Sequence, residues 1–212
     1  MIVDRSGNIE TLATVIGMES VADQPLFVAA VDGEAERLPE GVPLLLTGIG
    51  TITAAMRLTA ELTTARERGS LPSRVINVGT AGAVRDGMAG VYEVNQVFQH
   101  DFYLDDISGI DKHLLPRVIN LKTTGVLPEA GLATGDMFVS DSMTRERLAQ
   151  DAALVDMEGY ALAAVCNEFG IPVTLLKQVS DDANEDSHGN WAPQLKRAAV
   201  QLREALDAVL AQ

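Results

Sequence analysis

The sequence predicts an α/β fold: a single domain with a central twisted sheet, mostly parallel or mixed, flanked by helices. Apolar runs of strand length alternate along the chain with segments of helical periodicity. Several of these runs end in glycine or acidic residues, as strands do where they leave the carboxyl edge of a sheet. A length of 212 residues suffices for one sizeable core. We therefore assign residues 1–24 to an N-terminal arm and residues 25–212 to one domain.

The first two apolar runs predict buried strands at the start of this domain. Six apolar residues from Leu26 to Val31 precede Asp32-Gly33-Glu34, which suits a strand that ends where polar groups emerge. The run from Pro43 to Thr47 meets the glycine turn Gly48-Ile49-Gly50. A helix is expected next, because apolar residues recur at three- and four-residue spacings, at Ile52, Ala55, Met56, Leu58 and Leu62.

The middle of the chain predicts three more strands. Residues 74–78 form the first of them, and the segment from Gly79 to Gly82 is predicted as a glycine turn. The alternation from Val91 to Phe98 predicts another strand, and the run from Leu132 to Val139 predicts a strand that leads into a loop. Residues 108–131 have no clear pattern, and we expect a surface excursion there.

The last third of the chain predicts helix, strand and helix. A helix is expected from Asp156 to Phe169, ended by Gly170. Residues 173–179 predict a strand that breaks into the polar segment 180–190. A closing helix over residues 192–210 places one apolar face on the sheet, formed by Leu195, Ala199, Leu202, Leu206 and Val209.

The charge balance argues against nucleic acids and membranes as partners. Thirty acidic residues against sixteen basic ones give a formal net charge of −14, which repels a phosphate backbone and an anionic membrane alike. No stretch approaches the ~20 apolar residues that crossing a bilayer requires. The single cysteine, Cys166, allows no internal disulfide, and the N-terminus lacks the regions of a secretion signal. We therefore expect a cytoplasmic protein.

No pattern indicates a metal or a cofactor. The three histidines, His100, His113 and His188, stand far apart, and none has a partner at metal-ligand spacing. The segment that starts at Asp182 briefly resembles a calcium loop, but Ser187 stands where that loop needs glycine. The glycine motifs match neither a dinucleotide fingerprint nor a phosphate-binding loop, and no serine-hydrolase elbow occurs.

Two acidic motifs are candidates for chemistry. Asp156 and Glu158 open an otherwise apolar segment. A helix dipole explains one of these carboxylates but not both, and a carboxylate in such surroundings can bind ligand hydroxyls. Ser180-Asp181 closes an apolar strand, where a sheet fold presents catalytic groups. A helix cap or an Asx turn explains that pair equally well.

Taken in order, six motifs resemble the nucleoside phosphorylase superfamily, and within it most closely the 5′-methylthioadenosine/S-adenosylhomocysteine nucleosidases. The resemblance spans residues 26 to about 210, and six motifs in one order are far more specific than any one of them. Asp156 and Lys177 stand where relatives often have glutamate and arginine, which are mild departures. The motifs are Val31-Asp32-Gly33-Glu34, Thr47-Gly48-Ile49-Gly50, Asn77-Val78-Gly79-Thr80-Ala81-Gly82, Gly135-Asp136-Met137-Phe138-Val139, Val155-Asp156-Met157-Glu158 and Ser180-Asp181.

The resemblance implies three catalytic carboxylates. Glu158 would accept hydrogen bonds from the ribose hydroxyls, Asp181 would supply a proton at the purine N7, and Glu34 would position and deprotonate water. These roles suit the chemistry, because breaking a C–N glycosidic bond passes through an oxocarbenium-like sugar. One carboxyl group has to deliver a proton near neutral pH while another takes one.

The same resemblance implies a set of substrate-binding residues. Met157 would pack on the sugar and Phe138 would stack on the base, while the backbone of Val139 reads the adenine edge. Trp191 falls where the family has an aromatic residue over the ligand. The remaining members, which line the ribose and base or precede the acid, are Thr80, Gly82 and Ser180.

Asn77 favours water over phosphate as the nucleophile. Related phosphorylases have an arginine at this position, just before the glycine motif, where cationic donors bind a phosphate dianion. Arg74 and Arg85 flank the motif and need not point inward. We therefore expect hydrolysis without a cofactor, which releases adenine from 5′-modified adenosine nucleosides such as methylthioadenosine or S-adenosylhomocysteine.

Three alternatives remain open at this point. A futalosine hydrolase shares the Met-Glu and Ser-Asp elements and differs in its contacts to the base and the 5′ group; a nucleoside phosphorylase and a non-catalytic nucleoside-binding protein are the others. The retained trio of carboxylates argues against the last. The resemblance also implies a homodimer in which a neighbour covers the 5′ end of the substrate. The short link from Glu34 to Leu44 lacks room for a hairpin found in relatives, which leaves the 5′ substituent open.

Overall fold

The computed structural model describes the backbone of residues 2–3, 9–10, 19–102, 109–187 and 191–212, and the side chains of residues 19–102, 109–110, 112–187 and 194–212. The strands are β1 (Ile2–Val3), β2 (Ile9–Glu10), β3 (Pro25–Ala29), β4 (Leu44–Leu46), β5 (Arg74–Ala83), β6 (Val91–Gln99), β7 (Val118–Asn120), β8 (Glu129–Thr134), β9 (Leu154–Asp156) and β10 (Val173–Asp181). The helices are α1 (Asp32–Ala35), α2 (Thr51–Arg68), α3 (Ser142–Leu148), α4 (Gly159–Phe169) and α5 (Trp191–Leu210), with 3-10 turns at Asp111–His113 and Glu185–Ser187.

Eight of the strands form one mixed sheet with β5 at its centre. β3 and β10 pair with β5 in parallel, β4 pairs with β3 in parallel, and the last residues of β5 pair with β9 in antiparallel fashion. The circuit closes because β6 pairs with β10 while β8 pairs with both β6 and β9. Five strands therefore form a ring, from which β3 and β4 extend on one side and β7 on another.

Helices cover both faces of the extended part of the sheet. α2 and α4 pack on the face that presents Leu26 and Val28 of β3, and α5 packs on the opposite face, which presents Phe27 and Ala29. The alternation follows from the two-residue period of a strand. The predicted fold class, an α/β domain with a mixed sheet flanked by helices, is thereby confirmed. No helix in the described part of the chain is long and apolar enough to span a membrane.

The segment from Gly79 to Gly82 belongs to strand β5, so the predicted glycine turn is wrong. Neither glycine has a positive φ, and the reason for glycine is space rather than backbone freedom. A Cβ atom at Gly79 would lie 2.9 Å from Nζ of Lys177 on the neighbouring strand. The strand can approach β10 this closely only because the side chain is missing.

The predicted helix from Asp156 to Phe169 starts three residues late. Strand β9 ends at Asp156, and α4 begins at Gly159. The difference arises because Asp156 pairs in parallel with Thr134 of β8, and its side chain accepts a hydrogen bond from the Gly159 backbone N–H. Tertiary strand pairing thus overrides the local helical pattern at the start of this segment.

Helix α2 forms as predicted, but its buried face differs from the apolar spacing. The buried side chains are Ala54, Leu58, Leu62 and Ala65, whereas Ile52 and Met56 are exposed. The closing helix is confirmed, with Ala199, Leu202, Leu206 and Val209 of its predicted face buried. The described part of the predicted surface excursion, residues 109–131, contains β7 and the start of β8.

Candidate active site

A cavity of about 260 Å³ opens at the carboxyl ends of β3, β5 and β10. Larger cavities of about 980 and 410 Å³ lie elsewhere, and none of the three predicted catalytic carboxylates lines them. All three of those carboxylates, Glu34, Glu158 and Asp181, line the smaller cavity, together with five predicted binding residues, Met157, Thr80, Gly82, Phe138 and Ser180. The chemistry therefore points to the smaller cavity as the candidate active site.

Glu34 is held by four hydrogen bonds on its two carboxylate oxygens. Oε1 accepts from the backbone N–H and the hydroxyl of Thr80, at 2.8 and 2.9 Å. Oε2 accepts from the backbone N–H groups of Ala30 and Val31, at 3.1 and 3.3 Å. These four donors fix the carboxylate in one orientation. A water molecule that reaches Oε1 would share it with the Thr80 hydroxyl, which can rotate to another acceptor.

Glu158 is buried and forms a hydrogen bond with the turn that follows β4. Its Oε1 accepts a 2.8 Å hydrogen bond from the backbone N–H of Gly50. Gly50 has φ 102°, a left-handed conformation that glycine adopts without strain. Burial raises the pKa of Glu158 to about 7, and repulsion from Asp156 adds to this effect, while attraction to Lys177 opposes it. A ligand hydroxyl that donates to this carboxylate would therefore meet a strong acceptor in a water-poor site.

Lys177 and Asp156 form a fully buried ion pair at the wall of the cavity, which Asp156 lines and Lys177 does not. The sequence analysis considered Asp156 as a ligand-binding carboxylate but gave Lys177 no role in the site. Nζ of Lys177 lies 2.8 Å from Oδ2 of Asp156, and both side chains are 1% exposed. Burial alone would lower the pKa of Lys177, but the charges of Asp156, Glu158 and Glu34 outweigh it and raise that pKa. The ammonium is thus the counter-ion of three carboxylates, and we call these four residues the buried charge cluster.

Asp156 also organises the backbone around it. Its Oδ1 accepts from the Thr134 hydroxyl at 2.6 Å, and its Oδ2 accepts from the Gly159 N–H at 2.9 Å. The second contact satisfies a free N–H at the start of α4, as an acidic cap does. A signal for this pair was present in the sequence, because a lysine inside the apolar run Leu175-Leu176-Lys177 needs a buried anionic partner.

Asp181 stands at the end of β10, at the start of a segment that we call the acid turn, residues 180–187. Its Oδ2 accepts from the Ser180 hydroxyl at 2.7 Å, and its Oδ1 accepts from the Ala183 N–H at 2.9 Å. The first contact orients the carboxyl group, and the second closes an Asx-type turn. Asp181 also lines the cavity, but it is half-buried, whereas the members of the buried charge cluster are buried.

Gly82 makes room for the acid turn on strand β5. A Cβ atom at this position would lie 3.0 Å from Cβ of Ala183, 3.2 Å from Cγ1 of Val155 and 3.3 Å from Oδ1 of Asp181. These separations are tight for a carbon atom, so any side chain here would push the acid turn away from the sheet. Gly82 therefore matters for the position of Asp181 as well as for lining the cavity.

The predicted binding residues differ in how the structure places them. Phe138 lines the cavity and is 46% exposed, and Met157, which also lines the cavity, lies beside Glu158. The side chain of Val139 is buried against Val155 and Ala183 and does not line the cavity; its predicted role concerns the backbone. The side chain of Trp191 lies outside the described residues.

Asp136, in the same motif as Phe138, has a structural contact rather than a place in the cavity. Its carboxylate accepts from the backbone N–H and the hydroxyl of Thr51, at 2.7 and 2.5 Å. These bonds cap the N-terminus of α2 from a distant part of the chain. The backbone N–H of Asp136 in turn donates to Asp101. Sequence reasoning missed this role because capping residues normally precede their own helix.

The side chains that line the cavity include no arginine or lysine among the described residues. Asn77, where a phosphorylase would place arginine, is buried beneath Gly79 and donates to the Val28 carbonyl at 3.0 Å. The described residues also contain no cluster of three or more potential metal ligands. The cavity is thus rich in carboxylates, which suits the stabilisation of a developing positive charge.

A family model described as "Phosphorylase superfamily" matches residues 37–211. The 5′-methylthioadenosine/S-adenosylhomocysteine nucleosidase of Marinomonas sp. (strain MWYL1) is 29% identical over 216 aligned positions, which cover 90% of this chain and 87% of the relative. The protein of the same name from Haemophilus ducreyi is 30% identical and covers 80% of this chain and 79% of its own length.

The fold also matches a solved structure of a futalosine hydrolase mutant from Helicobacter pylori strain 26695. The TM-score is 0.74 at 21% sequence identity, and the match covers 90% of this chain and 99% of that one. At this level of identity the likeness concerns the fold alone. It extends over nearly the whole of both chains.

Proposed function

Because this chain belongs to the phosphorylase superfamily, we propose that it is an N-glycosyl hydrolase. It cleaves the bond between base and sugar in 5′-modified adenosine nucleosides, such as 5′-methylthioadenosine or S-adenosylhomocysteine, and releases adenine. The single observation that best supports this reaction is the meeting of three carboxylates, from three separate segments of the chain, around one cavity. Relatives with this activity by name cover most of the chain.

Each carboxylate suits one part of the reaction. Asp181 donates a proton to the base as the C–N bond lengthens, so that the base leaves as a neutral molecule. Glu158 accepts hydrogen bonds from the ribose hydroxyls, and its charge stabilises the oxocarbenium-like sugar. Glu34 receives a proton from the water whose oxygen bonds to the anomeric carbon. The proton taken by Glu34 balances the one given by Asp181, and solvent returns both groups to their starting forms.

Water rather than phosphate is the nucleophile in this proposal. A phosphate dianion needs cationic donors, and Arg–phosphate contacts are the common solution. The cation behind the cavity, Lys177, is already paired with Asp156 and faces two further carboxylates. An anionic nucleophile would therefore be repelled, whereas neutral water is not.

The base and the 5′ group are recognised by the residues around the rim. Phe138 stacks on the base, the backbone of Val139 meets its edge, and Met157 packs on the sugar. Thr80 and Gly82 line the floor beneath the ribose. The aromatic side chain of Trp191, at the start of α5, lies over the ligand in this proposal. Ser180 holds the acid in place by its 2.7 Å contact.

The active form is proposed to be a homodimer in the cytoplasm, where it acts in purine and methionine salvage. Exposed apolar side chains support the dimer: Ile49, Ile52 and Met56 are 51, 69 and 59% exposed on the turn before α2 and on that helix. Ile49 also lines the cavity, so a second copy that covers this patch would lie at the cavity mouth. Ile52→Glu with Met56→Glu should yield a monomer in light scattering, and an active wild-type monomer would contradict the proposal.

Purified protein incubated with methylthioadenosine, with and without phosphate, tests the reaction. We expect chromatography to show free adenine at equal rates in both conditions. Release that depends on phosphate and yields a sugar phosphate would indicate a phosphorylase instead. Cleavage of futalosine without cleavage of methylthioadenosine would indicate the second hydrolase, and tight binding without release would indicate a binding protein.

A further inference from the structure

Helix α3 is joined to the acid turn through Arg145. Its Nε donates to the Asp182 carbonyl at 2.8 Å and makes a longer contact of 3.4 Å with the Ala83 carbonyl at the end of β5. One terminal nitrogen of the same guanidinium, Nη2, lies 2.7 Å from the Asp86 carboxylate. The Arg145 side chain is only 16% exposed. A single planar group thus bridges α3, β5 and the segment after β10.

The carbonyl that Arg145 holds belongs to a strained part of the chain. Asp182 lies between Asp181 and Ala183, and Ala183 has φ 48°, a left-handed conformation that alanine rarely adopts. Such a residue keeps this conformation only when its surroundings enforce it. The Asp182 carbonyl and the Ala183 N–H belong to one planar peptide, and this N–H donates to Oδ1 of Asp181 at 2.9 Å. Loss of the strained turn would leave the carboxyl group without that donor.

A second contact joins the same helix to the acid turn. The backbone N–H and hydroxyl of Ser142 donate to the two carboxylate oxygens of Glu185, at 3.0 and 2.7 Å. Both residues are exposed, so solvent competes with this contact more than with that of Arg145. α3 begins three residues after Val139, so the helix connects the segment proposed to bind the base with the segment proposed to protonate it.

We propose that Arg145 is a positioning residue for the proton transfer, and that it acts through the Asp182 carbonyl on the orientation of Asp181. The inference deepens the proposed function and rests on it for the identity of the acid. Arg145 does not line the cavity. Its effect therefore appears in the chemical step and not in the binding of substrate, since a small misplacement of a catalytic group slows turnover far more than it weakens affinity.

A double-mutant cycle with Asp181 tests this mechanism. Arg145→Met should lower kcat for adenine release about tenfold or more, with the substrate Kd changed by less than about threefold. In the Asp181→Asn background the same substitution should change the residual rate less than about twofold, because the group that it positions is already gone. Equal losses in both backgrounds, or no loss in the wild-type background, would overturn the proposal.

Two matched variants isolate the contact to the backbone. Asp86→Asn removes the charged partner of Arg145 and leaves the contacts of Arg145 to both carbonyls. The Asp86 side chain is 95% exposed. This substitution should keep kcat within about twofold of wild type. Arg145→Lys retains one donor and should recover part of the rate lost in Arg145→Met. A loss in Asp86→Asn as large as that in Arg145→Met would contradict the proposal.

Hydrogen exchange separates this inference from the proposed function. In Arg145→Met the amides of residues 181–187 should exchange about tenfold faster or more than in wild type, while β5 stays protected. Unchanged exchange in this segment would refute the positioning contact, whatever the activity. If the wild-type protein releases no adenine from any nucleoside, the proposed function fails, and the exchange result alone decides whether Arg145 holds the turn.

Discussion

The buried charge cluster and the acid turn hold their carboxylates in opposite ways. Counted as whole residues, Glu34, Asp156 and Glu158 are 5, 6 and 7% exposed, and they share the counter-ion Lys177. Asp181 is half-buried and is held by one hydroxyl and one backbone N–H. The carboxylates proposed to hold water and the ribose are thus buried beside one cation, whereas the proposed proton donor stays near solvent.

Removal of the proton from the acid turn should have the largest effect on activity. Asp181→Asn keeps the shape of the side chain and an oxygen that can accept from the Ala183 N–H, but it cannot transfer a proton to the base. We expect kcat to fall about 10³-fold or more, with ligand affinity within about tenfold of wild type. Steady-state kinetics and calorimetric titration with substrate measure the two quantities. An unchanged kcat would remove Asp181 from the role of acid.

Removal of the counter-ion should have the largest effect on stability. Lys177→Met leaves Asp156 buried without its cation, which should lower the free energy of unfolding by about 3–5 kcal/mol. The double variant with Asp156→Asn should be less destabilised than the single one, because the introduced amide would keep neutral contacts to Thr134 and Gly159 without a stranded charge. Denaturant titration measures both. A double variant that is destabilised as much as Lys177→Met, or more, would contradict this account.

Two glycines on β5 allow a direct comparison, because Gly79 lies against the buried charge cluster and Gly82 lies against the acid turn. Gly79→Ala would press on Nζ of Lys177 and should lower the free energy of unfolding by about 1–3 kcal/mol. Gly82→Ala would press on Ala183 and Asp181 and should lower kcat about tenfold with a smaller loss of stability. Kinetics and thermal unfolding of the two variants, measured side by side, serve as mutual controls. If the loss of kcat relative to the loss of stability is the same in both variants, the buried charge cluster and the acid turn do not act independently.

The last prediction concerns how stability depends on pH, and its effect is spread over several pH units. The pKa of Glu158 is about 7 in the folded chain, against an ordinary value of 4.5, so the folded state holds an extra proton between these values. Wild-type stability should therefore fall as pH rises from about 4.5 to about 7. Glu158→Gln lacks this proton, and its Tm relative to wild type should rise from pH 5 to pH 8. A difference in Tm that stays constant over this range would refute the raised pKa of Glu158.

The sequence points to the carboxylates that line the cavity, but it does not predict the buried ion pair that neutralises part of their charge. Glu34 and Asp181 could be predicted to lie close together, because each follows or ends a strand and parallel strands bring such ends to one edge of a sheet. Glu158 fell inside a predicted helix, so only the resemblance to the nucleosidases implied that it joins them. The ion pair of Lys177 and Asp156 could not be placed, because the pairing depends on which strands become neighbours in space. β10 and β9 meet across β5, and no local pattern states that arrangement.

The same limit explains the errors in secondary structure. Gly79 to Gly82 looks like a turn, since glycine is common in turns, but the long strand β5 needs glycine there for close approach. The strand that ends at Asp156 has only three residues, and its partner Thr134 lies 22 residues away in the chain. Short strands with distant partners leave little trace in local composition.

The ring of five strands has a consequence for the behaviour of the protein at high concentration. Inside the ring every strand has a neighbour on both sides, so among the described residues the eight-stranded sheet offers open margins only at β4 and β7. Each of these is three residues long. Fibrils and other aggregates grow where a long edge strand with unpaired backbone groups pairs with the same strand of another molecule. Because most strands of this sheet are paired on both sides, it offers few edges at which such aggregation can begin.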